Sequence, residues 1–155
     1  MNNPQVKSKP FLSLIIVEDS NEDFEAFFRL MKSANFPHPI SRYIDGDDIL
    51  DFLYYKGEYT NREKTPYPTL IVMDLNLPGT DGREVIAILK QDPELKVIPI
   101  VALTTSSNPI DIQTCYQYGV NSYLQKPIGT LAFKKLVQDF KSYWFDAVIL
   151  PSNEE

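Results

Sequence analysis

Short apolar runs alternate along this chain with segments of helical period. The runs are FLSLIIV (11–17), HPISRYI (38–44), TLIVMD (69–74), IPIVALT (98–104) and NSYLQ (121–125). Three of them are apolar at successive positions. A strand with one wet face alternates, whereas a strand covered on both faces stays apolar at neighbouring positions, so the pattern predicts a parallel sheet with helices on either side. Between the runs, Phe24, Phe27, Phe28 and Met31 recur at i, i+3, i+4 and i+7 behind SNED, with Ser20 or Asn21 as cap and acids in the first turn. Ile49, Leu50, Phe52 and Leu53 predict a second helix, and Val85, Ile88 and Leu89 a third that begins just after Gly82. Asn108 as cap, Pro109 at the first helical position and Gly119 past the end bracket a fourth, which carries Ile112, Cys115 and Tyr116. The last stripe, Phe133, Leu136, Val137, Phe140, Tyr143, Trp144, Ala147 and Val148, predicts the longest helix, running almost to the end of the chain.

A strand followed each time by a helix, with right-handed crossovers, is a doubly wound α/β domain around a central five-stranded parallel sheet. The polar, proline-flanked stretch KGEYTNREKTPYP (56–68) is expected to be a long surface loop before the third strand. We expect residues 1–10 to form a disordered arm, 11–150 a single domain with an extended last helix, and 151–155 a tail.

Composition narrows the functional classes. The chain has 155 residues, 43% of them hydrophobic, which suits one domain with a substantial core. A formal net charge of −6 argues against nucleic acid as a partner, since phosphate-backbone binding needs clustered Lys and Arg. The single cysteine, Cys115, excludes an internal disulfide and reads as a small buried filler. The opening MNNPQVKSKP is polar, and no run approaches the roughly 20 apolar residues of a membrane span, so a cytoplasmic protein without a membrane partner is expected. His38, between Pro37 and Pro39, reads as an exposed loop residue with no acid or cysteine placed to form a metal or catalytic set.

The chemistry sits at the strand ends. In an open parallel sheet ligands lie beyond the carboxyl ends of the strands, at the switch point of the winding. There the chain places Glu18-Asp19 after the first strand, Asp74 after the third, Thr104 after the fourth and Lys126-Pro127 after the fifth. Three converging acids repel one another unless a cation joins them, and hard oxygen ligands suit Mg²⁺. A carboxylate beside a metal, a hydroxyl and a lysine are the parts for phosphoryl transfer onto the carboxylate, with Asp74 as nucleophile.

VED (17–19), MDLNLPGTDG (73–82), LTT (103–105) and YLQKP (123–127), with intervals of 30 and 22 residues between Asp74, Thr104 and Lys126, resemble the receiver domains of two-component response regulators. The resemblance spans about residues 11–145 and implies a flavodoxin-like (βα)5 fold. It implies that Asp74 is the phosphoacceptor, that Asp19 and Asp74 ligate Mg²⁺ together with the backbone carbonyl of Asn76, and that Glu18 contacts the metal through water. Thr104 and Lys126 would hold the phosphoryl group. Tyr123 would be the switch aromatic that turns inward when Thr104 moves, and the Lys126-Pro127 bond would be cis. The phosphodonor would be a sensor histidine kinase, with self-phosphorylation and autodephosphorylation as the only catalysis.

DLNLP…DGREV, the long loop before the third strand and YWFDAVILP (143–151) are similar to the stand-alone receivers paired with cyanobacterial and bacterial phytochromes. The apolar stripe from Tyr143 through Trp144, Ala147, Val148 and Ile149 extends beyond the expected core. It either folds back on its own domain or meets another chain; the subgroup implies a homodimer across the fourth helix, fifth strand and fifth helix, with Tyr143, Trp144 and Val148 in the interface. Departures from the broad family are Glu18, where aspartate is common, and Ile128, where an aromatic is frequent. Three rival classes remain. A phosphatase or phosphotransferase of the haloacid dehalogenase kind wants an acid where Asn76 stands. Flavodoxin-like cofactor binding wants a phosphate-cradling loop after the first strand. A receiver-shaped adaptor that is never phosphorylated has no need of the intact acid set.

Overall fold

The computed structural model describes residues 12–151. Strands β1 (Leu14–Val17), β2 (Ile40–Tyr43), β3 (Leu70–Met73), β4 (Ile100–Thr104) and β5 (Ser122–Gln125) form one sheet in the order β2-β1-β3-β4-β5. Every neighbouring pair is parallel. Helices α1 (Asn21–Ser33), α2 (Gly46–Tyr54), α3 (Gly82–Gln91), α4 (Pro109–Gln117) and α5 (Thr130–Lys141) connect and cover it. The three runs that are apolar at successive positions are the interior strands β1, β3 and β4, buried throughout, while the edge strands β2 and β5 are mixed.

The two-residue period of a strand divides each buried run between two cores. Ile15, Val17, Ile71, Met73, Ile100 and Ala102 face Ile49 and Leu53 of α2, Val85, Ile86 and Leu89 of α3, and Cys115 of α4. Leu14, Ile16, Leu70, Val72, Val101 and Leu103 face Phe27 and Met31 of α1 and Val137 and Phe140 of α5. The predicted caps form: the side chains of Ser20 and Asn108 accept from the backbone N–H of Asp23 and Ile110, and Gly119 takes the positive φ of +101° that ends α4.

The chain departs from its sequence pattern in three places. First, the last helix does run unbroken from Thr130 to Ala147 and is the longest, but its winding changes: it is α-helical through α5 to Lys141 and then makes a single π turn (Ser142–Ala147). The wider turn changes the phase at which side chains leave the axis, so that consecutive residues reach the core. Trp144 is 8% exposed within its own domain, and Phe145 packs edge-on against Phe36 at 4.7 Å. Val148 is half-buried on the same cluster and Tyr143 is 57% exposed. Trp144 and, in part, Val148 thus pack on their own domain, whereas Tyr143, Ala147 and Ile149 of the same stripe are exposed.

Second, His38 is half-buried rather than exposed, with its ring 5.1 Å from Phe36 and 6.4 Å from Phe145. Third, no peptide bond among the described residues is cis, Lys126-Pro127 included. Segment 56–68 is the expected loop, with one 3-10 turn at Gly57–Tyr59. The Arg62 guanidinium lies between the Phe52 and Tyr55 rings at 3.9 and 3.7 Å and clips the loop to α2. The expected arm at 1–10 lies outside the described residues, as does all of the tail except Pro151. Among the described residues no helix is long and apolar enough to cross a membrane.

Candidate metal and phosphoryl site

Sheet register assembles the site. Val17 pairs with Met73 and the Asp74 N–H donates to the Val17 carbonyl at 3.0 Å, so the residues just past β1 and β3, Glu18 and Asp74, come side by side. Met73 pairs with Ala102, and Thr104 with Gln125; the Lys126 N–H then donates to the Thr104 carbonyl at 2.7 Å. Glu18, Asp74 and Thr104 are buried, whereas Asp19 and Asn76 lie open to solvent. The carboxylates of Glu18, Asp19 and Asp74 each offer an oxygen within 4.8 Å of the others. Gly82 makes the close approach of α3 to this strand end workable, because a Cβ there would lie 2.2 Å from the Asp74 carbonyl oxygen.

Lys126 is the counter-charge. Its Nζ donates to Glu18 Oε2 at 2.7 Å, Asp23 Oδ2 at 2.8 Å and Asp74 Oδ2 at 3.5 Å. Burial pushes the Glu18 carboxyl up to about 7, aided by the nearby Asp74 charge and opposed by the Lys126 hydrogen bond. Burial also works against the Lys126 ammonium, but its bonds to Asp23 and Glu18 prevail and hold it above the ordinary lysine range. Three hard oxygen donors gathered this closely, one of them facing solvent, suit a divalent cation in charge and ligand type.

The remaining expected residues lie on one side of this crevice. Thr104 Oγ accepts weakly from the Ser106 N–H at 3.4 Å, and Tyr123 Oη donates to the Ser106 carbonyl at 2.8 Å. Ser106 Oγ donates to Asp111 at 2.7 Å, and Arg83 binds Asp111 at 2.9 Å. A continuous polar chain therefore runs from Tyr123 through the segment after β4 to the first turns of α4 and α3. The structure gathers Glu18, Asp19, Asp74, Thr104 and Lys126 at the strand ends, and sets Tyr143 and Trp144 in the C-terminal π turn with Val148 just past it.

Two contributors escaped the sequence pattern. Asp23 reads from sequence as an ordinary first-turn acid, yet it lies at i−4 from buried Phe27, on the inward face of α1, where an acid has reason to find a cation. Arg42 on β2 donates from Nε to the Glu18 carbonyl at 3.0 Å and from Nη1 to Asn21 at 2.7 Å, while its guanidinium covers Phe24. It braces the backbone that carries the first acid pair, and nothing in its strand's weak pattern marks it.

The response regulator receiver domain model matches residues 14–150. The chain is 41% identical over 146 residues to response regulator Rcp1 of Synechocystis sp., covering 94% of this chain and 97% of that protein. The crystal structure of the Mn²⁺-bound form of Rcp1 superposes with a TM-score of 0.84, covering 91% of this chain and 99% of that one. The phosphorylated cyanobacterial phytochrome response regulator RcpA superposes with a TM-score of 0.83 at 36% identity, with the same coverage. With the strand order, the acid triad at the switch point and a family match over nearly all of its described length, the chain belongs to the response regulator receiver domain family.

Proposed function

We propose that this protein is a phosphorylation-controlled switch in which Asp74 accepts a phosphoryl group from the phosphohistidine of a sensor histidine kinase. The observation that carries the reading is the meeting of Asp74 with Glu18, Asp19 and Lys126 at the strand ends. An Asp74 carboxylate oxygen attacks phosphorus, the P–N bond to the donor imidazole breaks, and its electron pair leaves with the imidazole. Sheet rigidity holds the nucleophile in place, and Lys126 and the Thr104 hydroxyl serve the transferred oxygens. Glu18, Asp19, Asp74 and the Asn76 carbonyl would hold Mg²⁺, which when bound neutralises charge on the transferred group. Displacement of Thr104 toward the phosphoryl group would pull on Ser106, on whose carbonyl Tyr123 hangs, and so on α4.

Such a receiver is not an enzyme in the ordinary sense, since it acts on itself and signals by contact. The relatives named for phytochrome signalling support a phytochrome-type kinase as donor. For the homodimer, the exposed apolar side chains Ile110, Tyr116 and Tyr118 on and beside α4, and Leu131 on α5, support the α4-β5-α5 face better than Trp144 does. A cytoplasmic, stand-alone receiver is the setting this reading implies.

The test is incubation with acetyl phosphate and Mg²⁺ followed by intact mass. One added phosphoryl group, removed by hydroxylamine and missing in Asp74→Asn, is expected. Absence of the adduct, or its persistence in Asp74→Asn, refutes the acceptor role.

A further inference from the structure

The Lys126 ammonium has three N–H bonds. All three are engaged by carboxylates: Glu18 at 2.7 Å, Asp23 at 2.8 Å and Asp74 at 3.5 Å. A phosphoryl oxygen on Asp74 can therefore gain the lysine's charge only by displacing one of these partners. They are not equally displaceable. The Glu18 side chain is 6% exposed, and withdrawing its cation would strand a charge in the interior. The Asp74 carboxylate is the group being modified, and its contact is already the longest. The Asp23 side chain is 46% exposed in the first turn of α1, so water can replace the ammonium there at small cost. The α1 N-terminus favours its negative charge whether or not the lysine is present. Its backbone is held as well, because the Asp23 N–H donates to Ser20 Oγ at 3.2 Å.

Building on the reading of Asp74 as phosphoryl acceptor, we infer that Asp23 is a positioning residue for Lys126. It holds the ammonium in a resting place against α1 and yields it to the phosphoryl oxygens when Asp74 is occupied. Asp23 thereby opposes the occupied state: every contact it keeps with Lys126 must be given up for the lysine to serve the new anion.

Beryllofluoride, which mimics a phosphoryl group on a carboxylate, tests this by fluorine NMR titration in the presence of Mg²⁺. Asp23→Asn is expected to bind it more tightly, by up to about five-fold, the range of a half-exposed ion pair. Asp23→Glu should restore the wild-type affinity. In a Lys126→Gln background the gain from Asp23→Asn should vanish, since the effect runs through the lysine and not through general charge. Asp23→Ser, also uncharged, takes the place of Asp23→Asn should that variant not fold. Unchanged or weaker binding by the uncharged variants, or the same gain without Lys126, overturns the inference. A wild type that binds no beryllofluoride refutes the acceptor reading itself, whereas normal wild-type binding with an inert Asp23→Asn refutes only the role of Asp23.

Discussion

Replacing Lys126 by methionine should cost this domain a large part of its stability, by an amount that depends on pH. The lysine side chain is 9% exposed and its shortest contact, at 2.7 Å, is with a Glu18 side chain that is 6% exposed. Methionine fills similar space but leaves Glu18 and Asp74 facing each other without a cation. Removing one partner of a buried pair costs about 3–5 kcal/mol, against a total stability of about 5–15 kcal/mol for an ordinary domain. Asp23, at 46% exposed, rehydrates and adds little. The sign with pH follows from Glu18, which burial already raises from 4.5 to about 7. Because the folded state holds this proton more tightly than the unfolded chain, the group's stabilising contribution is complete below about pH 4.5. It is lost as pH rises through about 7. Without Lys126 the folded value climbs further, so the deficit of Lys126→Met should be largest near pH 8 and shrink toward pH 5. Urea unfolding at both pH values, without divalent cations, measures it. Adding Glu18→Gln should recover most of the loss at pH 8. A deficit under about 1 kcal/mol at pH 8, or one that neither shrinks at pH 5 nor responds to Glu18→Gln, would refute the view that Lys126 is what makes the buried acid tolerable.

Three further outcomes are expected. Millimolar Mg²⁺ should raise the melting temperature of the wild type by mass action, and Asp19→Ala should abolish most of that rise; a melting scan indifferent to Mg²⁺ counts against the shared acid site. Trp144→Ala should destabilise by about 3–5 kcal/mol in urea, as for a core aromatic, while Tyr143→Ser stays within about 0.5 kcal/mol; comparable effects would mean that Trp144 is not packed in its own domain. Gly82→Ala places a methyl 2.2 Å from the Asp74 carbonyl oxygen and 2.7 Å from Leu75 Cα, so α3 must shift; lower unfolding stability together with slower phosphorylation by acetyl phosphate is expected, and a variant that matches wild type in both would show that the approach is not tight.

Much of this was legible in the sequence because it is local. Apolar side chains at successive positions marked β1, β3 and β4 as doubly covered, and Asn108-Pro109 with Gly119 bracketed α4 through cap chemistry that involves only near neighbours. The strand-end residues Glu18, Asp19, Asp74, Thr104 and Lys126 were legible too, since a parallel sheet delivers every strand end to the same rim. Tertiary structure decided what those residues touch. Lys126 meets Asp23 across 103 positions of chain, a pairing that depends on how α1 crosses the sheet and not on any spacing near either residue. The Arg42 brace on Glu18 likewise needs the parallel register of β2 on β1. At the C-terminus the apolar stripe was read correctly as one long helix, but its change of winding after Lys141 was not foreseen. Its period carries no record of the π turn, within which Trp144 and Phe145, adjacent in sequence, both pack on the core cluster that includes Phe36. Periodicity and caps are properties of a short stretch of chain; partner choice is a property of register and of which buried charge can find an opposite one.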